Sequence, residues 1–361
     1  MNRQTDSSNW RATARYVEGM KLLRSFQTTR DWKQLHAAIC EFTEAVTIDP
    51  SYNAARFYLG VSQELDGKHK EAAEQFEELR VQTEQPDLEL LYNLGLAYFH
   101  QYHPAAYLSA IEYLQRVIEF ARVPPPQPAP TEQERYRESI QLLARAVLAQ
   151  VYSHMAIPPK GVSPEEAQEH FQEALRVASD SLEEFERHRD HLDPALVSDI
   201  GWGLHNAKGH AYLYAGRRES NPEFFEGSIR EFNLALQFDP ANYRVLSNLG
   251  SAHFFLAELA QGRESAVGDR PVVREEQLVL AEQRFRRVLQ LKPHYDFAYA
   301  RLAKIALQRG NVEEAEKYAT LAKQNPSEMT PDYIEQILKD IERARKSTVD
   351  GSQLGRLGPA G

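Results

Sequence analysis

The chain has 361 residues, a formal net charge of −10 and a pI of about 5.7. This acidic balance argues against a nucleic-acid-binding protein, because phosphate contacts need clustered Lys and Arg. Cys40 is the one cysteine, so an internal disulfide is excluded and nothing suggests an oxidising compartment. We expect Cys40 to be a small buried hydrophobic residue rather than a reactive thiol.

The first ten residues are polar and lack the apolar stretch of a signal peptide. No window approaches the roughly 18–20 apolar residues that a membrane-spanning helix needs. We therefore expect a soluble, cytoplasmic protein without membrane insertion.

Helical periodicity runs along nearly the whole chain, and the helices come in pairs with a common skeleton. The first helix carries Gly or Ala after a large apolar residue, and the second carries Ala-x-x-x-Phe-x-x-Ala or a close variant. Small residues let two helices cross closely, and the bulky residue fills the gap beside them. Seven copies follow in chain order, marked by Gly19 and Ala38, Gly60 and Ala72, Gly95 and Ala110, Ala149 and Ala167, Gly209 and Ser228, Gly250 and Ala281, and Ala303 and Ala315.

The spacing between the two marker residues differs among the copies. It is 12 residues in the second and seventh copies (72 − 60 = 12 and 315 − 303 = 12) and longer in the other five. We predict lengthened turns between the two helices of those five copies. The longest insertion, 261–271, is polar and contains Gly, which predicts a mobile loop. Either tolerated drift or contact with a partner would explain it.

Three further segments divide the chain. Residues 123–130 are rich in Pro and predict a linker between an N-terminal part, 1–122, and a C-terminal part, 131–346. The linker is either a semi-rigid spacer or a ligand for a proline-reading domain. A last amphipathic helix is predicted to cap the array with one apolar face, made of Tyr333, Ile334, Ile337, Leu338 and Ile341. Residues 347–361 contain four Gly and are expected to be disordered.

The seventh copy has the most regular pattern, with Pro293 and Pro326 at its ends, 33 residues apart (326 − 293 = 33). This is close to the 34-residue tetratricopeptide period. Together the seven copies, from about residue 11 to 325, resemble the tetratricopeptide repeat family. The resemblance implies an all-α fold, a right-handed α-solenoid of antiparallel helix pairs with a C-terminal capping helix.

The resemblance also implies that the first helix of each pair lines a concave groove. The apolar part of this groove lies in the N-terminal half, and the C-terminal half is more polar and partly basic. Such a groove suits a peptide or an amphipathic helix of a partner, unless another segment of the same chain fills it. The residues that we expect in the groove are Phe57, Tyr92, Asn93, Leu96, Phe99, Asn206, His210, Arg244, Asn248, Arg301 and Lys304.

No catalytic or cofactor motif is present in the sequence: there is no Gly-rich phosphate loop, no His-Glu-x-x-His and no Cys-x-x-Cys. His188 and His191 lack a third ligand nearby and are interpreted as surface residues. We therefore predict a scaffold or adaptor that binds a protein or peptide, without enzyme activity or a cofactor.

Two alternatives to the scaffold stay open. One is a regulatory or sensor subunit that clamps a signalling peptide or a partner enzyme. The other is a co-chaperone-like binder of a C-terminal carboxylate. Asn248 and Arg301 match the clamp pattern of that group of tetratricopeptide proteins, whereas Phe297 replaces a lysine.

Overall fold

The computed structural model describes residues 3–83, 86–120, 131–156, 163–262, 270–324 and 331–354. Within these ranges the chain forms fifteen α-helices, one short 3-10 helix and no strand, so the predicted all-α class is confirmed. The α-helices are α1 Arg3–Thr29, α2 Trp32–Ile48, α3 Asn53–Asp66, α4 His69–Gln82, α5 Leu88–Phe99, α6 Pro104–Glu119, α7 Glu132–Met155, α8 Pro164–His188, α9 Val197–Glu219, α10 Pro222–Phe238, α11 Tyr243–Gly262, α12 Arg270–Leu291, α13 Asp296–Gln308, α14 Val312–Gln324 and α15 Pro331–Leu354.

The seven predicted copies correspond to the seven consecutive pairs from α1 and α2 to α13 and α14, and the prediction of an α-solenoid is confirmed. Close approach at the glycines explains the repeated pattern. A Cβ atom added to Gly60 would lie 2.6 Å from a ring atom of Phe76, closer than van der Waals contact allows. The same relation holds between Gly19 and Phe42, Gly95 and Leu114, Gly209 and Phe232, and Gly250 and Phe285.

The prediction of lengthened turns was wrong for the first and fifth copies, because there the extra residues extend the two helices and not the turn between them. α1 ends at Thr29 and α2 begins at Trp32, while α9 ends at Glu219 and α10 begins at Pro222. Each of these turns is as short as the one between α3 and α4. The extra helical turns bury further apolar side chains, which are Phe26 and Leu35 in the first copy and Phe225 in the fifth.

Within the described residues, left-handed backbone conformations occur in five of the turns that join the two helices of a copy. Gly67, with φ of 91°, and Gly310, with φ of 76°, adopt this conformation in the second and seventh copies. In the first, third and fifth copies it is adopted by Arg30, Tyr102 and Ser220, with φ between 51° and 57°. A side chain at such a position costs roughly 1–2 kcal/mol, and Gly avoids that cost.

Two compact units divide the chain: unit 1 contains residues 1–155 and 176–200, and unit 2 contains 156–175 and 201–361. The predicted linker, 123–130, lies outside the described residues, so its role as a boundary stays a prediction. One core cluster of unit 1 surrounds Phe42, and those of unit 2 include one around Phe232 and one around Phe285.

The predicted capping helix is α15. Its side chains Ile334, Ile337 and Ile341 are buried against α13 and α14, and Tyr333 and Leu338 are partly buried beside them, so the predicted apolar face is confirmed. Whereas we expected disorder from residue 347, α15 continues to Leu354. Residues 355–361 lie outside the described residues.

Cys40 is exposed on α2, so the expectation of a buried residue was wrong. Ala38 and Phe42 mark the buried face of α2. Because each residue turns the helix by about 100°, Cys40, two residues from each of them, points to the opposite side.

Candidate functional site

None of the five groove residues predicted in unit 1 has an exposed side chain: Phe57, Tyr92, Asn93 and Leu96 are half-buried and Phe99 is buried. The ring of Phe57 lies 5.8 Å from that of Phe76, which packs against Gly60. The amide nitrogen of Asn93 donates a hydrogen bond of 2.8 Å to the backbone carbonyl of Glu89. These side chains contribute to the packing of unit 1, and their binding role stays a prediction.

Three of the predicted polar residues of unit 2 form one hydrogen-bonded group, which we call the amide–imidazole cluster: Asn206, His210 and Asn248. The Nδ2 atom of Asn248 donates to Oδ1 of Asn206 at 2.9 Å and lies 2.7 Å from Nε2 of His210. Because an amide nitrogen can only donate, His210 accepts at Nε2 and carries a neutral imidazole. Burial lowers the pKa of His210 to about 4, so the cluster is uncharged at neutral pH.

Arg301 is surrounded by aromatic rings. Its guanidinium carbon lies 4.8 Å from the ring centroid of Phe255, 4.9 Å from Phe297, 5.2 Å from Phe254 and 5.3 Å from Tyr333. The residue is 8% exposed, and its Nε atom has no hydrogen-bond partner among the described residues. Cation–π attraction thus stabilises a charge that the described part of the chain does not pair with a carboxylate.

A second guanidinium lies over the same ring. Arg217, which is exposed, has its guanidinium carbon 4.7 Å from the centroid of Phe255. Desolvation by the surrounding protein lowers the pKa of Arg217, and the charge of Arg301 lowers it further. Burial raises the pKa of the nearby Glu258 carboxyl, which accepts a hydrogen bond from Gln308. Arg217 and Arg301, the arginine pair, therefore lie beside the same ring without a carboxylate bonded to either in the described structure.

The other two predicted basic residues are engaged by their own chain. Lys304 Nζ lies 3.4 Å from Oδ2 of Asp340 in α15, which offsets its charge. Arg244 donates from Nε to the hydroxyl of Tyr243 at 3.3 Å. Burial alone would raise the pKa of Tyr243, but Arg244 and Lys292 lower it to about 8.

One group of polar residues was missed by the sequence reasoning: Glu64, His69 and His100 of unit 1, the Glu–His–His cluster. Glu64 lies in the last turn of α3, His69 begins α4 and His100 directly follows α5. Nδ1 of His69 is 2.8 Å from Oε2 of Glu64, and Nδ1 of His100 bonds to Oε1. Burial would raise the pKa of Glu64, but the two histidines lower it well below its usual range.

An apolar pocket of about 650 Å³ lies between α10, α11 and α12 in unit 2. None of the predicted groove residues lines it; its wall includes Ile229, Leu256 and Leu259. His253 borders the pocket, where burial lowers its pKa and its Nδ1 lies 2.6 Å from Oε1 of Gln277. The pocket is therefore separate from the arginine pair and from the amide–imidazole cluster.

Comparison with known proteins places one part of the sequence in a family. Residues 273–329 match the tetratricopeptide repeat family model, and this range contains α13 and α14. No curated protein matches the sequence. Within the described residues, no helix has both the length and the apolar character needed to cross a membrane.

The solved structures that resemble the chain are distant in sequence. A tetratricopeptide repeat protein from Parabacteroides merdae is 13% identical, with 90% of this chain and 99% of that chain covered and a TM-score of 0.49. The human IFIT1 dimer with m7Gppp-AAAA is 16% identical, with 80% and 70% covered and a TM-score of 0.34. The TPR2AB domain of yeast Sti1 in complex with pHSP90 is 14% identical, with 81% and 99% covered and a TM-score of 0.26. TM-scores this low carry no argument about what the chain binds.

Proposed function

We propose that this chain, a tetratricopeptide repeat protein, is a non-catalytic interaction scaffold whose unit 2 binds an acidic segment of a partner protein. One observation supports the acidic ligand above all others. The guanidinium groups of Arg217 and Arg301 lie over one ring, that of Phe255, and no carboxylate of the described residues bonds to either.

Two like charges held beside one ring repel each other, and a bound anion would offset that repulsion. A guanidinium is planar and can donate two parallel hydrogen bonds to one carboxylate. A hydrogen bond to a charged group contributes about 1.5–3 kcal/mol. The charge of Glu258 acts on both arginines, but its carboxylate accepts a hydrogen bond from Gln308 and none from an arginine.

The neighbouring side chains suit the rest of a peptide. In this proposal the rings of Phe297 and Tyr333 contact apolar groups beside the acidic residue. Asn206, His210, Arg244 and Asn248 form the polar part of the proposed binding face of unit 2. In unit 1, considered by itself, Phe57, Tyr92, Leu96 and Phe99 remain the proposed apolar anchors. Asn93 and Lys304 complete the proposed set, and a ligand would have to compete with Glu89 for Asn93 and with Asp340 for Lys304.

Fluorescence anisotropy with labelled peptide pools tests the proposal. One pool contains hexapeptides with Asp or Glu side chains, the second has only a free C-terminal carboxylate, and the third is acid-free and amidated. We expect the full chain to prefer an acidic pool. Arg217→Gln should then weaken binding about tenfold or more, since one charge-assisted hydrogen bond is lost.

Arg287→Gln is the matched control, because Arg287 is an exposed arginine of unit 2 that lies on the second helix of its copy. Arg301→Lys tests the second arginine. It keeps the positive charge among the four rings but removes the planar guanidinium. Arg301→Ala is avoided because it would leave a cavity. Equal binding of the amidated pool, or equal losses in Arg217→Gln and Arg287→Gln, would contradict the proposal. A preference for the second pool would favour a C-terminal carboxylate over acidic side chains.

A further inference from the structure

We propose that the Glu–His–His cluster binds a divalent transition-metal ion, with Zn²⁺ as the best match to its donors. The metal-binding atoms that Glu64, His69 and His100 offer all lie within 4.8 Å of one another. Two imidazole nitrogens and one carboxylate are a ligand set that proteins use for zinc and related ions. Three protein ligands leave further positions for water.

Charge supports a cation at this place. The side chain of Glu64 is 6% exposed, and burying a carboxylate is costly unless a positive charge compensates it. Among the described residues, Glu64 bonds only to His69 and His100, and to no Lys or Arg. A histidine binds metal through a neutral imidazole, so a dication would supply the missing positive charge.

Placement of the three ligands also suits a metal. Each lies at the end of a different helix, where α3, α4 and α5 hold its backbone in position. The side chain of His69 is 19% exposed and that of His100 is 7% exposed, so His69 offers the approach from solvent. Because Glu64 and His69 belong to the second copy and His100 to the third, a bound ion would connect two adjacent repeats of unit 1.

A nearby pair provides the matched control. His36 Nε2 lies 2.8 Å from Oδ1 of Asp66, so this site has one imidazole and one carboxylate. Lys68 also contacts Asp66, at 2.9 Å, and supplies the positive charge that Glu64 lacks. The His36 pair therefore shares a histidine–carboxylate contact with the proposed site but not its second imidazole.

Zinc titration of the full chain tests the site. The protein is treated with EDTA, dialysed and titrated with ZnCl₂ in competition with a chromophoric chelator, in a variant background where His188→Gln and His191→Gln remove the exposed histidine pair. We expect one zinc ion per chain and a rise in Tm of about 5 °C or more at saturating zinc. His69→Gln and Glu64→Gln should each weaken binding by roughly 10–100-fold, since loss of even an outer-shell partner has that effect.

His36→Gln should leave zinc affinity unchanged. The proposal is overturned if the parent protein shows no zinc-dependent rise in Tm, or if His69→Gln binds zinc as tightly as the parent does. Should Glu64→Gln fail to fold, X-ray absorption of the zinc-loaded parent counts the imidazole ligands directly. Two imidazoles support the site, and fewer than two overturn it.

Discussion

The second and fifth repeats use the same packing contact but hold different polar clusters. In both, a glycine of the first helix packs against a phenylalanine ring of the second, Gly60 against Phe76 or Gly209 against Phe232, and a Cβ atom added to the glycine would lie 2.6 Å from that ring. The helices of the fifth repeat are longer, with 23 residues in α9 against 14 in α3 and 17 in α10 against 14 in α4. Its turn residue is Ser220 instead of Gly67. The packing contact therefore tolerates changes in helix length.

Their polar clusters differ in charge. The carboxylate of Glu64 in the second repeat is buried between His69 and the third repeat's His100, whereas the imidazole of His210 in the fifth repeat bonds to an amide of the sixth. A buried carboxylate calls for a cation, and a buried neutral imidazole resists protonation. The chemistry of each repeat therefore depends on the side chains beside the packing contact, and not on that contact itself.

Removing both imidazoles that bond to Glu64 should cause the largest loss of stability. The double variant His69→Leu and His100→Leu leaves a buried carboxylate without a partner, which costs about 3–5 kcal/mol of the free energy of unfolding. Urea denaturation followed by circular dichroism, with EDTA present, measures the loss. Adding Glu64→Leu should restore part of it, and a triple variant no more stable than the double would show that the carboxylate is not the cause.

Lowering the pH should destabilise the fifth repeat through the protonation of His210. The pKa of His210 is about 4 in the folded chain, below its ordinary value of 6.5. As the pH falls, the unfolded chain therefore takes up the proton first. The stabilising contribution is complete above pH 6.5 and is lost as the pH falls towards 4, by at most about 3 kcal/mol. We expect the stability difference between the parent and His210→Gln to shrink over this range. Parallel pH profiles of the two proteins would contradict the assignment.

Exchanging the residues of the two turns should cause the smallest change in stability. Ser220→Gly relieves a left-handed conformation and should stabilise the chain by about 1 kcal/mol or less, since Gly also makes the unfolded chain more flexible. Gly67→Ser should destabilise it by about 1 kcal/mol. An added Cβ at Gly67 would meet nothing within 4 Å, so this loss reports backbone conformation alone. If both variants changed the free energy of unfolding in the same direction, the left-handed conformation would not explain the difference between the two turns.

The repeated pattern of the sequence determined the helix pairs, their packing contacts and the cap. Gly60 and Phe76 could be matched because each lies at a set position within its own helix, and the pattern recurs seven times. Helical periodicity identifies the buried face of a helix without knowledge of its neighbours. The same reasoning predicted that Asn206, His210 and Asn248 lie on one face, because the resemblance supplied their repeat positions.

Which polar groups meet across helices depends on how the helices pack in three dimensions. Glu64 and His100 are 36 residues apart, and no local pattern indicates that the ends of α3 and α5 meet. Arg301 was predicted as a polar groove residue, but the rings that surround it come from α11, α13 and α15. Helical periodicity predicts the direction of a side chain from its own axis, whereas its partners depend on how several helices pack together. The proposed metal site and the arginine pair both arise from that packing.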